Sequence, residues 1–265
     1  MTRAGVAGLV AAACAGAVLS AAGTSRSVRG VLTGITVNAD GSGTLGCCRQ
    51  SFVVPAHVRV EFPGASLGMA ELFALAPAEC RVNGESGLLA ADRCRAAPEH
   101  RRRAVHIVAD VVIERGISTI ERVMAAGADD RVSGPVTFIH TIDGYLRIGG
   151  EYGVDAHGRL LRINDPHGRI SVQQGAACGG EGNCSPDVRF AFDATAPSVR
   201  FGSGGFACVP SAASADGFCP PGASHEGGAV FQAIRPGDHV VAVGRQEVLG
   251  AAEVFVAHTL IIDQR

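Results

Sequence analysis

The chain has 265 residues, 47% of them apolar and 18% charged, which excludes an intrinsically disordered protein and suits one large or two small domains. A formal net charge of −2 argues against nucleic-acid binding driven by bulk charge. All 23 basic residues are arginine, so there is no lysine for a Schiff base or a phosphate-binding loop; with no Trp and 2 Tyr, a broad aromatic platform for sugars or single strands is missing too.

Residues 1–22 begin with Arg3, continue as an Ala/Val/Leu run and end on the small residues Ser20-Ala21-Ala22. This is the pattern of a secretory signal peptide, so the fold is expected to start after it. The run is short and Ala/Gly-rich for a membrane anchor, and Ala11 stands where a lipidation motif around Cys14 prefers Leu. No later segment is long and apolar enough to span a bilayer. The expected location is secreted or extracellular, with the periplasm or a cell surface as variants, and no membrane insertion of the mature chain is expected.

Setting Cys14 aside leaves 8 of the 9 cysteines, an even number that reads as disulfides in an exported chain. Cys80 and Cys94, Cys178 and Cys184, and Cys208 and Cys219 each bracket a short polar or Gly-rich loop, and local pairing is the simplest connectivity. Cys47 and Cys48 are adjacent; a bridge between neighbours is strained, so each could instead reach a distant partner. No pair has the C-x-x-C spacing of a structural zinc site, and no metal or other cofactor is expected.

The remainder reads as one module written twice. Val28, Gly30, Thr33 and Ile35 match Val132, Gly134, Thr137 and Ile139 at an offset of 104; Arg59 and Pro63 match Arg162 and Pro166 at 103; His106 and Ala109 match His239 and Ala242 at 133, and Gly116 then lines up with Gly250. The jump in offset places an insertion in the second half, in the stretch holding the four late cysteines. The expected domains are a first module over residues 27–130 and a second over 131–265, with a Cys-rich insertion at about 175–235.

In the first half, Asn38–Gly43 is a hairpin turn, His57–Phe62 a strand and Leu67–Ala76 the best helix candidate. In the second, Val132–Ile142 alternates, with Val136, Phe138, His140 and Ile142 on one face. Asp143-Gly144 turns into Tyr145–Gly150, with Leu146 and Ile148 inward and Tyr145 and Arg147 outward. Leu160–Asn164 follows, ended by Asp165-Pro166-His167-Gly168. Pro236-Gly237-Asp238 leads into His239–Val243, and Glu253–Asp263 closes the chain. Two hairpin-linked strands, a third, an excursion and a closing pair describe an OB-like barrel. The fold class expected is therefore mainly β: two tandem OB-like β-barrel modules with a disulfide-closed insertion in the second. The second half, from SGPVTFIHTIDGYLRIGG through INDPHGR to DHVVAVG and VFVAHTLII, resembles a group of secreted, mostly fungal, uncharacterised proteins with an OB-like core; the first half departs from it, with EFPG for NDPHG. The resemblance implies a fold and export, not a chemistry.

Gly64-Ala65-Ser66-Leu67-Gly68 matches G-x-S-x-G, between a strand and a helix candidate, the setting of a nucleophile elbow. Ser66 is thus the candidate for a serine-dependent hydrolase, with Asp110 and His225 or His258 as nominal partners. The bland alternative is a Gly-rich turn after the third barrel strand. Gly41-Ser42-Gly43-Thr44-Leu45-Gly46 matches G-x-G-x-x-G, but a strand rather than a helix follows, so it is a hairpin turn. His140 and His258 sit among apolar neighbours and suit buried neutral imidazoles better than ligands, since no third ligand is visible. His225-Glu226 lacks the second histidine of a zincin motif. His100-Arg101-Arg102-Arg103 is a short basic run, and Asn183-Cys184-Ser185 fits a glycosylation pattern.

The default ligand face of an OB-like barrel is its second and third strands, where the second half presents Tyr145, Arg147, Arg162 and Asn164, a set able to pair with carboxylates or sulfates. The expected function is a secreted non-catalytic binding or structural protein. Its partner would be an extracellular small molecule, glycan or peptide, anionic groups included, rather than a nucleic acid.

Overall fold

The computed structural model describes residues 24–95, 105–126, 130–176, 178, 184–185, 187–195, 198–214, 219–220, 231–249 and 251–263. The N-terminal segment 1–22, the run His100–Arg103, Asn183, His225-Glu226 and Gly250 lie outside them.

The first sheet begins with β1 (Thr24–Val37), β2 (Gly43–Cys47) and β3 (Gln50–Val54), a three-strand meander. The β1–β2 turn forms because the Asp40 carboxylate accepts from the Ser42 N–H at 3.0 Å while Gly41 takes φ 82°, where a side chain would be strained. After the short β4 (Val60–Phe62), β5 (Ala65–Leu67), α1 (Met69–Ala74) and α2 (Ala78–Val82), the chain returns as β6 (His106–Glu114) and β7 (Ile117–Ala126). β6 pairs antiparallel with β1 and β7, and β7 meets β3 in parallel at Val53 and Thr119, closing a five-strand barrel. β4 and β5 extend the sheet beyond β7. The protein is mainly β with an OB-like barrel, as the strand order in the sequence predicts.

The second sheet holds β8 (Asp130–His140), β9 (Tyr145–Ile148), β10 (Arg159–Ile163), β11 (Val199–Phe201), β12 (Phe206–Cys208), β13 (Phe231–Ala233), β14 (His239–Leu249) and β15 (Ala252–Asp263). Its β8–β9–β10 meander, the β14–β15 pair and the parallel β10–β15 contact trace the same circuit. The registers coincide with the sequence offsets. Val28 faces Ala109 as Val132 faces Ala242, and Val31 faces His106 as Pro135 faces His239. Register shifts fall between Leu32 and Gly34 and between Val136 and Phe138, and again between Asp110 and Val111 and between Val243 and Gly244.

Those bulges revise one face assignment. A bulge adds a residue to one strand and reverses the alternation beyond it. Val136 and Ile139 pack into the second barrel's interior, whereas Phe138 and His140 lie outside it, next to Tyr145. The match of Arg59 and Pro63 to Arg162 and Pro166 also fails. β4 lies parallel to β7 (Val60 with Val123) as β11 lies parallel to β15 (Val199 with Leu260), so VEF at 60–62 corresponds to VRF at 199–201. Arg162 belongs instead to the third barrel strand, and the extra length of the second unit begins directly after β10.

Each barrel encloses its own core, Leu45, Phe52, Ile107, Val111 and Ile120 in the first and Leu146, Leu161, Val240, Phe255 and Leu260 in the second. The three local bridges form: Cys80 to Cys94, Cys178 to Cys184 and Cys208 to Cys219. They are consistent with an extracellular protein. Cys47 and Cys48 are free thiols, without the distant partners considered from the sequence. Among the described residues no helix is long and apolar enough to cross a membrane.

Candidate functional site

The four residues expected on the ligand face do point away from the barrel interior, but three of them are buried and Arg147 is half-buried. Tyr145 is 2% exposed, Arg162 1% and Asn164 3%. The stretch of chain after β10 covers Arg162 and Asn164. Arg162 donates from one guanidinium nitrogen to the Asp143 carbonyl (2.9 Å) and from the other to the carbonyls of Gln174 (2.7 Å) and Ala176 (2.5 Å). Asn164 donates to the carbonyls of Asp187 and Phe190 at 2.9 and 2.8 Å. Both side chains therefore pin the insertion to the barrel. Burial pushes the Arg162 guanidinium down to about 10, against the opposing pull of Asp143.

Tyr145 and Arg147 share one acceptor. The Tyr145 hydroxyl donates to Asp155 at 2.6 Å and the Arg147 Nε donates to its other oxygen at 3.1 Å. Burial, reinforced by that bond to the carboxylate, pushes the tyrosine up to about 12. Burial opposes ionisation of Asp155 as well, but the tyrosine and arginine bonds outweigh it and hold the carboxyl below its usual range. The His140 ring stacks on Tyr145, centroids 4.8 Å apart, and its Nδ1 accepts from the Asp143 N–H at 3.1 Å. His258 is buried, with Nδ1 3.0 Å from the Thr259 hydroxyl. Among the described residues no group of three His, Cys, Asp or Glu side chains could hold a metal ion.

Ser66 sits on β5, exposed, opposite Glu61 of β4. Its hydroxyl donates to Glu61 at 2.6 Å and accepts from Arg59 Nε at 3.3 Å. The described non-glycine residues at positive φ are Cys48, Arg49 and Arg115, so Ser66 lacks the strained backbone of an elbow. The motif's first glycine has a different reason to exist. A Cβ on Gly64 would lie 2.6 Å from the Ala191 carbonyl oxygen and 3.0 Å from that of Phe192, so Gly64 is where the insertion's backbone rests on the first barrel.

That contact is one side of an inter-barrel joint that sequence reasoning missed. Arg189, fully buried, forms a two-pronged pair with Asp187 (2.8 and 2.7 Å) and donates to the carbonyls of Leu72 (2.6 Å) and Ser86 (2.8 Å) in the first unit. Phe190 enters the first unit's core and meets Phe62 edge-on at 5.1 Å, while Arg245 of β14 lies 4.0 Å over its ring. No local pattern marks these residues, because a single arginine in a loop looks the same whether solvated or buried.

Beside the joint lies a cleft of about 600 Å³. The β4–β5 hairpin (Glu61, Phe62, Gly64, Ser66) and Leu75 form one wall, and the turn after β10 (Pro166, His167, Arg169) with Val188 and Phe192–Thr195 forms the other. Leu75 and Val188 expose apolar surface, and His167 and Arg169 are exposed. The cleft thus offers apolar walls, both signs of charge and hydroxyls across a boundary between units, where ligand sites commonly form. A second recess, more apolar, is lined by Phe138, Tyr152, Pro210, Ile234 and Pro236.

No family model, curated protein or solved structure matches the chain.

Proposed function

We propose that this is a secreted, non-catalytic binding protein whose ligand, a peptide segment, lies in the cleft between the two barrels. The observation that carries the reading is that both units supply the walls of that cleft and that buried groups, Arg189 and Asn164, fix them together. Phe62, Leu75 and Val188 suit apolar side chains, and Arg169 with Glu61 suits the charges and backbone groups of a polypeptide. A peptide is favoured over a glycan because neither tyrosine of the chain lines this cleft. The hydrolase alternative on Ser66 is disfavoured because a glutamate, not a histidine, accepts the hydrogen bond from its hydroxyl. The coincident registers and bulges support descent of both barrels from one duplicated unit, and residues 1–22 support export.

Panning a displayed peptide library against the wild-type protein tests the reading. Peptides selected this way should lose at least about tenfold in affinity on Arg169→Glu, equivalent to 1.4 kcal/mol. Equal binding by Arg169→Glu and Leu75→Asp would contradict it. Labelling of Ser66 by a fluorophosphonate probe would restore the hydrolase.

A further inference from the structure

The β2–β3 hairpin carries two cysteines that the three bridges leave out. Cys47 is buried at the end of β2, Cys48 is exposed in the turn, and their sulfurs lie 2.9 Å apart. A disulfide bond is about 2.03–2.05 Å, so bonding requires an approach of less than about 1 Å. The Cys48 thiol also donates to the Arg29 carbonyl at 3.2 Å, which holds it on this side of the turn.

Two features show that the hairpin itself does not require this pair. Cys48 and Arg49 both adopt the left-handed region, φ 55° and 62°, which a two-residue turn of this kind normally fills with Asn-Gly. In the second barrel Val136 faces Ile148 as Leu32 faces Cys47 in the first, so the corresponding residues there are Ile148 and Gly149, with the glycine at φ 69°. The fold is thus satisfied by an aliphatic residue and a glycine where this turn places two thiols. Gly30 of β1 faces the sulfurs, and a Cβ there would overlap that of Cys48 and lie 3.1 Å from that of Cys47. Gly134 clears the same position for Ile148 in the second barrel, so the glycine belongs to the barrel; the left-handed backbone at two non-glycine positions is of the kind found where function, not stability, selects the residue.

We propose that Cys47 and Cys48 are a modification site, a dithiol that closes reversibly to a vicinal disulfide by exchange with a low-molecular-weight disulfide such as oxidised glutathione. The Cys48 thiolate attacks one sulfur of the external disulfide, whose S–S bond breaks and releases one thiolate. Cys47 gives up its proton to solvent or to the departed thiolate and attacks the Cys48 sulfur, expelling the second thiolate, which is then protonated. Two protein thiols are oxidised to one disulfide, and the external disulfide is reduced to two thiols. The order is set by access, since Cys48 is exposed. Burial first, and the contact with Cys48 next, push the Cys47 thiol up to about 12, so it stays protonated and does not make the first attack; its place in the second step comes from lying 2.9 Å from the Cys48 sulfur. Adjacent Cα atoms are about 3.8 Å apart, below the roughly 4.4–6.8 Å of ordinary bridges, so the ring opens more readily than the three loop bridges.

The test equilibrates the folded wild-type protein with graded ratios of reduced and oxidised glutathione, then traps free thiols with N-ethylmaleimide and digests with trypsin without reduction. Cleavage after Arg29 and Arg49 releases one fragment, 30–49, holding both cysteines. At oxidising ratios this fragment should be unalkylated and lighter by two hydrogens. It should take up two maleimides at ratios that leave all three loop bridges closed. A fragment that stays doubly alkylated throughout, or is joined to another cysteine fragment, would overturn the proposal. Cys47→Ser should leave a persistent glutathione adduct on Cys48, and no adduct there would overturn the role of Cys48 as the attacking sulfur.

Discussion

Arg189 is fully buried, and its charge is answered by Asp187 and by two carbonyls of the other unit. Removing one partner of such a pair leaves an uncompensated buried charge, so Arg189→Ala should lower unfolding stability by about 3–5 kcal/mol in urea titration. Replacing both members by apolar residues of similar volume should recover much of that loss. Asp155 sets a pH limit. Its carboxyl is held below its usual range in the fold, so it contributes stability that is present above about pH 3.9 and disappears as pH falls through the folded value. Tyr145 does the reverse at the alkaline end. Its folded value of about 12 exceeds the usual value near 10, so its contribution is complete below about pH 10 and is lost as pH rises toward 12. Denaturation midpoints measured against pH should therefore lose part of their acid dependence in Asp155→Asn. Tyr145 and Arg147 were legible as a polar pair on one face of a strand. Their acceptor was not, because Asp155 comes from the next loop and no periodicity ties it to them.

The strands and turns were the most legible elements. The Asp143-Gly144 turn, the helix after Leu67 and the closing pair β14–β15 stand within a few residues of where alternation and turn chemistry place them. Alternation misled where a bulge inserted a residue, at Thr137, because nothing in the string VTFIH separates a regular strand from a bulged one. The three loop bridges were legible from spacing alone. Breaking the Cys80–Cys94 link by double serine substitution should cost about 3 kcal/mol, as expected for a separation of 14 residues. Gly64 shows how a motif can be right in pattern and wrong in meaning. Its lack of a side chain serves the docked backbone of Ala191 and Phe192, so Gly64→Val should destabilise the joint by about 1–3 kcal/mol in thermal unfolding. Cleavage chemistry at Ser66 would not by itself require that contact.

At the scale of the whole molecule, two barrels of the same circuit differ mainly in the connection that leaves the third strand. In the first a short connection leads to β4; in the second a long one runs out over Arg162 and Asn164, drives Arg189 and Phe190 into the neighbouring unit and returns as β11. The jump in offset between matched residues points to extra length in the second unit, and the connection from β10 to β11 is longer than that from β3 to β4. Where it docks was not legible, since contacts 103 and 117 residues apart, from Arg189 to Ser86 and to Leu72, leave no local trace. The cleft is the product of that docking, which ties the proposed binding to the joint. The most direct measurement is hydrogen exchange of the wild-type protein with and without a peptide selected on it. Slowed exchange in the β4–β5 hairpin and in Ala191–Thr195 together, with the peptide recovered intact, is what the account predicts. Protection confined to the outer face of β8–β10, or recovery of a cleaved peptide, would contradict it.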